Sequence, residues 1–407
     1  MKKYIVIVFT GLLMSIPALA QLFWNKANMR NVKMQIDKQP YKSAYDALIK
    51  KADLYLLEPH LSVVNDKDHI PASGDIHDYM SIGRYTWPDT TKADGLPYIE
   101  RDGYTNPEYY TYDREVLLKM VDRVKTFTLA WYFSDDSRYA SAAVGQIRVW
   151  FLKKETYMNP NMYYGQIVKG YTYLNATAVL DGAGFVDMID ALYLLDDYHS
   201  WMWHRDLKRV KKWFGQFLDW IETSDQGVRQ NKSRDNTGTS YDLQRLAYNL
   251  YCGRVENAQE ILNNFVEKRI LKQIDDEGVQ VEEIKRTSSF GYSVSNISVM
   301  MNFIIIACNQ GLQLTPESLT RFYKAVNYLI PYLDENKQWP YQEISNMKYY
   351  RKRLCFELFR IETCIDKSKT NYLKLYEKYG KMSDNDINVL LYLSLIHISE
   401  PTRLLSI

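Results

Sequence analysis

Four short polar stretches in a chain of 407 residues carry the side chains that could do chemistry. The first, "GDIHDYMSIGRYTWPD", groups His77, Asp78, Tyr79, Arg84, Tyr85 and Trp87. The company of Arg84, Tyr85 and Trp87 points to a ligand-facing loop, although a solvated turn accounts for His77-Asp78 equally well. The second, "MNPNMYYGQ", offers Asn161, Tyr163, Tyr164 and Gln166 to a cleft, but Asn159 and Asn161 also read as plain helix caps. In the third, "SRDNTGTSYDLQ", Asn236 and Thr237 sit where Asp235 or Thr239 would cap a helix and Gly238 would relax the turn. The fourth, "KRTSSFGYSVSN", sets Arg286 six residues before Tyr292, ahead of a very apolar run. Arg286 alone reads as a surface charge, and Tyr292 as a packing tyrosine.

Several chemistries have no foothold in these residues. No metal-ligand spacing and no glycine-rich phosphate cradle occurs, so neither metal nor cofactor is expected. None of the six histidines sits in a nucleophile elbow. A net charge of +2 on 51 basic and 49 acidic residues argues against non-specific nucleic-acid binding, yet leaves room for a local basic groove. The surplus of 34 tyrosines, beside 9 tryptophans and 14 phenylalanines, suits core packing first and a sugar-stacking cleft second.

The elements that must position these stretches are helical. Apolar residues recur at three- and four-residue spacing over about 29–61, then over 113–133, 137–152, 184–198, 205–223, 239–251, 255–270, 293–310 and 315–333. Residues 60–112 lack that periodicity and are too long for a simple connector. Successive helical hairpins with no fixed-length repeat imply a solenoid or a toroid forming one domain. The opening "MKKYIVIVFTGLLMSIPALAQ" reads as a secretory signal cleaved after Ala20, so residues 1–20 are removed and the mature chain is periplasmic or secreted. No later run of about 18 continuous apolar residues suggests a membrane span. The closing "SLIHISEPTRLLSI", residues 394–407, reads as translated sequencing adapter, which ends native sequence near Leu393. Cys252 and Cys308 lie in apolar helical surroundings and read as buried thiols, while Cys355 and Cys364 are close enough in sequence to pair.

In their order and spacing, "SGDIHDYMSIGRYTWPD", "MNPNMYYGQ", "DNTGTSYDLQ", "RTSSFGYSVSN" and "WPYQE" resemble the alginate lyase superfamily, in particular its Bacteroidales-type branch acting on uronic-acid polymers. The resemblance runs from about Ser73 to Leu393. It implies an all-α fold, an (α/α) toroid or incomplete helical barrel over 21–393, with the long N-terminal loop region over the cleft. It also implies β-elimination: the uronate carboxylate is held and partly neutralised, a tyrosine removes the C5 proton, and a tyrosine or histidine protonates the leaving oxygen. Charge develops at the carboxylate, so donors belong there. By motif position Tyr292 matches the catalytic tyrosine, with a phenol expected to be lowered by nearby positive charge. Arg286 matches its neighbouring arginine and Asn236 the carboxylate-binding asparagine. Substrate-binding positions fall on His77, Tyr79, Arg84, Tyr85, Trp87, Asn161, Tyr163, Tyr164 and Gln166.

One position departs from the pattern. Where the family reads Asn-Asn-His-Gly, this chain reads Asp235-Asn236-Thr237-Gly238. Thr237 cannot exchange a proton near neutral pH as imidazole can. Mannuronate and glucuronate present the C5 hydrogen and O4 on the same side, where Tyr292 could be base and acid in turn; guluronate presents them on opposite sides. The expected activity is therefore a lyase for mannuronan, alginate or glucuronan, unless His77 or another distant histidine fills the vacant role. The alternatives are a catalytically impaired binder of acidic glycans, a helical protein-binding scaffold, or a glycoside hydrolase using Asp78 and Asp235 as its carboxylate pair.

Overall fold

Asp190 gathers the start of the described chain onto the helical core. Its carboxylate, 1% exposed, accepts the backbone N–H groups of Leu22, Phe23 and Trp24 at 2.5, 2.7 and 2.9 Å. The computed structural model describes residues 21–393 apart from 66, 199, 312–313, 315 and 366–369. The expected signal sequence and adapter-like tail lie outside the described residues.

Two helices, α1 (Lys26–Lys33) and α2 (Tyr41–Leu56), occupy the first periodic stretch, with Pro40 as the N-cap of the second. The long pair α3 (Asp113–Ser134) and α4 (Ser137–Phe151) follows, packed together. A 3-10 stretch, Ala176–Met188, leads into α5 (Ile189–Leu195), then α6 (Trp201–Thr223), α7 (Asp225–Gln230), α8 (Asn236–Cys252), α9 (Val255–Phe265) and α10 (Leu271–Gln273). The chain continues through α11 (Ser289–Asn309), α12 (Pro316–Leu329), α13 (Met347–Arg360), α14 (Thr370–Tyr379) and α15 (Asn388–Tyr392). Helix α8 packs against α6, α9, α11 and the 3-10 stretch, while α15 returns to α1 and α2. The architecture is an (α/α) toroid and not a closed barrel, as expected.

Local chemistry explains the two helices that matter most. Asp235 caps α8 by accepting the Thr237 N–H, and Gly253, at φ 77°, ends it in the left-handed region that side chains disfavour. Helix α11 is apolar nearly all round, and Phe290 through Ala307 lie mostly buried. By length and composition it could cross a membrane, but 78% of its most apolar window is buried inside this protein; it is the core helix. An aromatic cluster of Phe151, Phe185, Trp213, Phe214, Phe217 and Tyr248 fills the space under the 3-10 stretch.

The aperiodic stretch 60–112 contains three of the four strands among the described residues. Strand β1 (Met80–Ile82) pairs in parallel with β4 (Tyr164–Ile167), joining the first polar stretch to the second. Strands β2 (Thr86–Trp87) and β3 (Ile99–Glu100) form a small antiparallel pair. All four cysteines are free thiols, so Cys355 and Cys364 do not pair. Cys308 is exposed near the C-terminal end of α11, and Cys252, the last residue of α8, is half-buried against the core.

Candidate active site

The loop region and the N-terminal end of α8 enclose a cleft of about 960 Å³. Arg84, Tyr85 and Thr86 line one side with Tyr98, Tyr109 and Arg114; Tyr171, Tyr173 and Asn175 line another. Asn236, Thr237 and Ser240 come from α8 and Asp235 is its N-cap, while Arg286 and Tyr292 come from the segment opening α11. No tryptophan and no histidine lines it among the described residues. Tyrosines are divided between cleft and core, while Trp150, Trp203, Trp213 and Trp220 serve the core.

At the Tyr292 end, its phenol donates to Tyr85 Oη at 2.8 Å. Arg286 lies over the Tyr292 ring, 4.0 Å from its centroid. The guanidinium is also gripped by Asp102 at 3.1 and 2.5 Å, and Asp102 further accepts the Thr287 N–H at 3.0 Å. Burial would raise the Asp102 carboxyl, but Arg286 and the Thr287 N–H outweigh it and hold the group at about 2. The Tyr292 phenol differs from expectation. Burial drives it well above its ordinary value, Tyr85 adds to the rise, and Arg286 pulls only weakly the other way. A cation already neutralised by Asp102 cannot offset the loss of water around a half-buried phenol.

At the α8 end, Asn236 is clamped from behind. Its backbone N–H and its Nδ2 both donate to Glu283, each at 2.6 Å. Thr237 Oγ1 donates to Asp235 at 2.5 Å and accepts from Gln230 Nε2 at 2.8 Å. Gly238 is required beneath them: a Cβ there would lie 2.2 Å from the Ser233 carbonyl oxygen and 2.4 Å from Arg269 Nη1. Arg269 needs that room to donate to Ser233 O and to Asp242.

A third group stands on Asp181, which is wholly buried. Its carboxylate accepts from Tyr79 Oη at 2.8 Å, Ser81 Oγ at 2.5 Å, Arg114 Nη1 at 2.9 Å and Gln166 Nε2 at 2.8 Å. Four donors exhaust the acceptor capacity of one carboxylate. Gln166 reaches the cleft with φ +46°, a left-handed backbone unusual for a side-chain-bearing residue. Its N–H donates to Ser81 Oγ and its carbonyl accepts from Asn175 Nδ2, which hold that conformation.

Of the residues singled out by sequence, Tyr292, Arg286, Asn236, Thr237, Arg84, Tyr85 and Gln166 line this one cleft. Arg84 donates to Thr105 Oγ1, and its guanidinium carbon lies 5.7 Å from the Tyr85 ring centroid. His77, Tyr79, Trp87, Asn161, Tyr163 and Tyr164 are not among the lining residues. The His77 ring stacks on Tyr157, with Nδ1 2.6 Å from the Tyr157 carbonyl, so it does not stand in for the missing histidine. Tyr79 supports from below through Asp181, and Trp87 donates to the Tyr104 carbonyl. Asn161 Oδ1 accepts the Tyr163 N–H in a turn, capping no helix, and Tyr163 packs edge-on against Trp220. Asn159 donates to Asp75 and Asp78, so Asp78 is buried and spent structurally, and the Asp78–Asp235 hydrolase pair is not assembled in the cleft. Sequence reasoning passed over Asp102, Arg114, Asp181 and Glu283. Each lies outside a motif or inside a helical run, and no local signal distinguishes it from a surface charge.

A family model described as alginate lyase matches residues 62–339. The chain belongs to the alginate lyase family. Members of this family are polysaccharide lyases of uronic-acid polymers. Among solved structures, an alginate lyase from Bacteroides ovatus is 34% identical, with a TM-score of 0.86, over 91% of this chain and 98% of that one. No functionally curated protein matches the chain. Among the described residues, no group of three or more His, Cys, Asp or Glu side chains is arranged to hold a metal ion.

Proposed function

We propose that this family member cleaves a mannuronan- or glucuronan-type polyuronate by syn β-elimination, with Tyr292 as the proton-transferring group. The observation that carries the reading is the Tyr292–Tyr85 hydrogen bond beside Arg286, in a cleft that also exposes Asn236. In this scheme the Asn236 and Gln166 amides and Arg84 receive the uronate carboxylate, which acidifies the C5 hydrogen. Tyr292, having released its own proton by way of Tyr85, takes the C5 proton. The C5–H electron pair forms the C4–C5 double bond, the C4–O4 bond breaks, and the Tyr292 proton passes to O4. Both transfers lie on one face of the sugar, so no second group on the opposite face is required. Tyr98, Tyr171 and Tyr173 offer rings to flanking sugars. A mature chain starting after Ala20 would meet such polymers outside the cytoplasm.

A second reading rests on Thr237. Its hydroxyl is occupied by Asp235 and Gln230 and offers no imidazole-like base, so an acidic-glycan binder with impaired catalysis would use the same cleft. Ultraviolet absorbance of the unsaturated product separates the two. Purified protein is given polymannuronate, polyguluronate and glucuronan separately, beside Tyr292→Phe. A signal on the first or third that vanishes in the variant supports the lyase; binding without a signal on any polymer supports the second reading.

A further inference from the structure

Glu283 lies just outside the cleft, on the short 3-10 turn Glu283–Lys285, and only 1% of it is exposed. A carboxylate so buried needs full compensation. Here both oxygens are used on one residue: Oε1 accepts the Asn236 N–H and Oε2 accepts Asn236 Nδ2, each at 2.6 Å. No other described residue hydrogen-bonds Asn236 through its side chain. Its Oδ1 and second Nδ2 hydrogen therefore remain for the cleft that Asn236 lines.

We propose that Glu283 is a positioning residue that sets which atoms of Asn236 face the substrate carboxylate. The inference rests on the lyase reading only for its kinetic consequence; the Glu283–Asn236 coupling stands without it. The side chain of Asn236 has two nearly equivalent orientations, differing in whether amide nitrogen or oxygen points inward. An ionised Glu283, which only accepts, selects the one with nitrogen toward itself. A protonated Glu283 can donate to Oδ1 and permits the reverse. Burial raises the Glu283 pKa to about 7 against the two Asn236 hydrogen bonds, which lower it; of the charged groups facing it, Asp235 raises it and Arg286 lowers it. The orientation of Asn236 thus changes within the neutral range, and a misplaced carboxylate donor of this kind can cost about 10²-fold in rate.

Two measurements on the full-length mature protein test this. In the first, the Asn236 side-chain amide resonance is followed against pH by NMR with asparagine-selective 15N labelling. The expected result is a titration with a midpoint near neutrality in the native protein that is absent in Glu283→Gln. A resonance that ignores pH in the native protein, or titrates alike in the variant, overturns the proposal whatever the enzymatic outcome. In the second, kcat and KM on polymannuronate or glucuronan are compared for Glu283→Gln, Asn236→Ala and the double variant. The expected losses in kcat are about 10-fold or more for each single variant, with little further loss when Glu283→Gln is added to Asn236→Ala. Losses that multiply would show Glu283 acting independently of Asn236 and sink the proposal. A native protein inactive on both polymers would count against the lyase reading, leaving the amide titration to decide this one.

Discussion

Tyr292 donates a hydrogen bond to Tyr85 over 2.8 Å, joining two phenols 207 positions apart in the chain. Tyr292 enters from the first turn of α11 and Tyr85 from the loop just before β2, so neither motif alone contains the pair. The bond gives Tyr292 a partner through which a proton can leave and return, in a cleft with no histidine among its described lining.

Replacing each phenol in turn separates their roles. Tyr292→Phe removes the reacting oxygen and is expected to lower kcat by about 10²–10⁴-fold, the usual worth of general acid–base catalysis. Tyr85→Phe leaves that oxygen in place and removes a group that raises the Tyr292 pKa. Its loss should be milder, and the rise of rate with pH should begin at lower pH. Initial rates of unsaturated-product formation across a pH series check both.

Asp102 ties the loop region to Arg286 and Thr287. With a folded value of about 2 against an ordinary 3.8, it contributes stability above about pH 4 that is lost as pH falls toward 2. Asp102→Asn should abolish that contribution and loosen Arg286 over Tyr292. An acid-denaturation curve monitored by tryptophan fluorescence should then show the variant less stable at neutral pH and nearer to the native protein at the acid end.

Glu283 and Asp190 act in the opposite sense. Burial raises Glu283 from 4.5 to about 7, and raises Asp190 from 3.8 to about 6 despite three backbone donors. The folded chain keeps protons that the unfolded chain has released, so stability falls as pH rises from about 4 through 7. Each unit of raised pKa is worth about 1.4 kcal/mol at most. Urea midpoints should be higher near pH 5 than near pH 7.5, and Glu283→Gln should flatten the upper part of that decline.

Thr237→His tests the departure from the family pattern. Asp235 already accepts from the Thr237 hydroxyl at 2.5 Å and would be available to orient an imidazole there. If the rest of the cleft is competent, the variant should gain activity on polyguluronate, where proton removal and O4 protonation need groups on opposite faces. The same absorbance assay, run on polyguluronate alone, reads the gain; no gain would place the limitation elsewhere in the cleft.

Gly238→Ala should destabilise the protein by a few kcal/mol, the scale of an unrelieved clash at a special backbone site. The added Cβ meets backbone oxygen and the buried Arg269 and has no flexible neighbour to push aside. A thermal melt would show a lower Tm with the cleft end of α8 disturbed.

Much of the helical frame was legible because helices such as α3, α4 and α8 advertise a buried face every three or four residues, and because Asp235 marks the start of α8 in local chemistry alone. Tyr292, Arg286 and Asn236 were singled out through the resemblance of their motifs to the alginate lyase family, since by themselves Arg286 reads as a surface charge and Tyr292 as a packing tyrosine. Periodicity failed where bonding is long-range. Three- and four-residue patterns do not show that α1 and α2 are separate helices, nor that strands as short as β2 and β3 pair. His77 and Trp87 looked like ligand-facing groups from composition, yet their hydrogen bonds go to the carbonyls of Tyr157 and Tyr104. The four carboxylates that organise the cleft or its frame, Asp102, Asp181, Asp190 and Glu283, look in sequence like any other acidic residues. What sets each apart is burial and the donors brought to it from 15 to 185 positions away, including Arg286 and Thr287 on Asp102, Tyr79 and Gln166 on Asp181, Leu22 on Asp190 and Asn236 on Glu283. A residue's type travels with the chain, but its desolvation and its partners exist only once distant segments have packed.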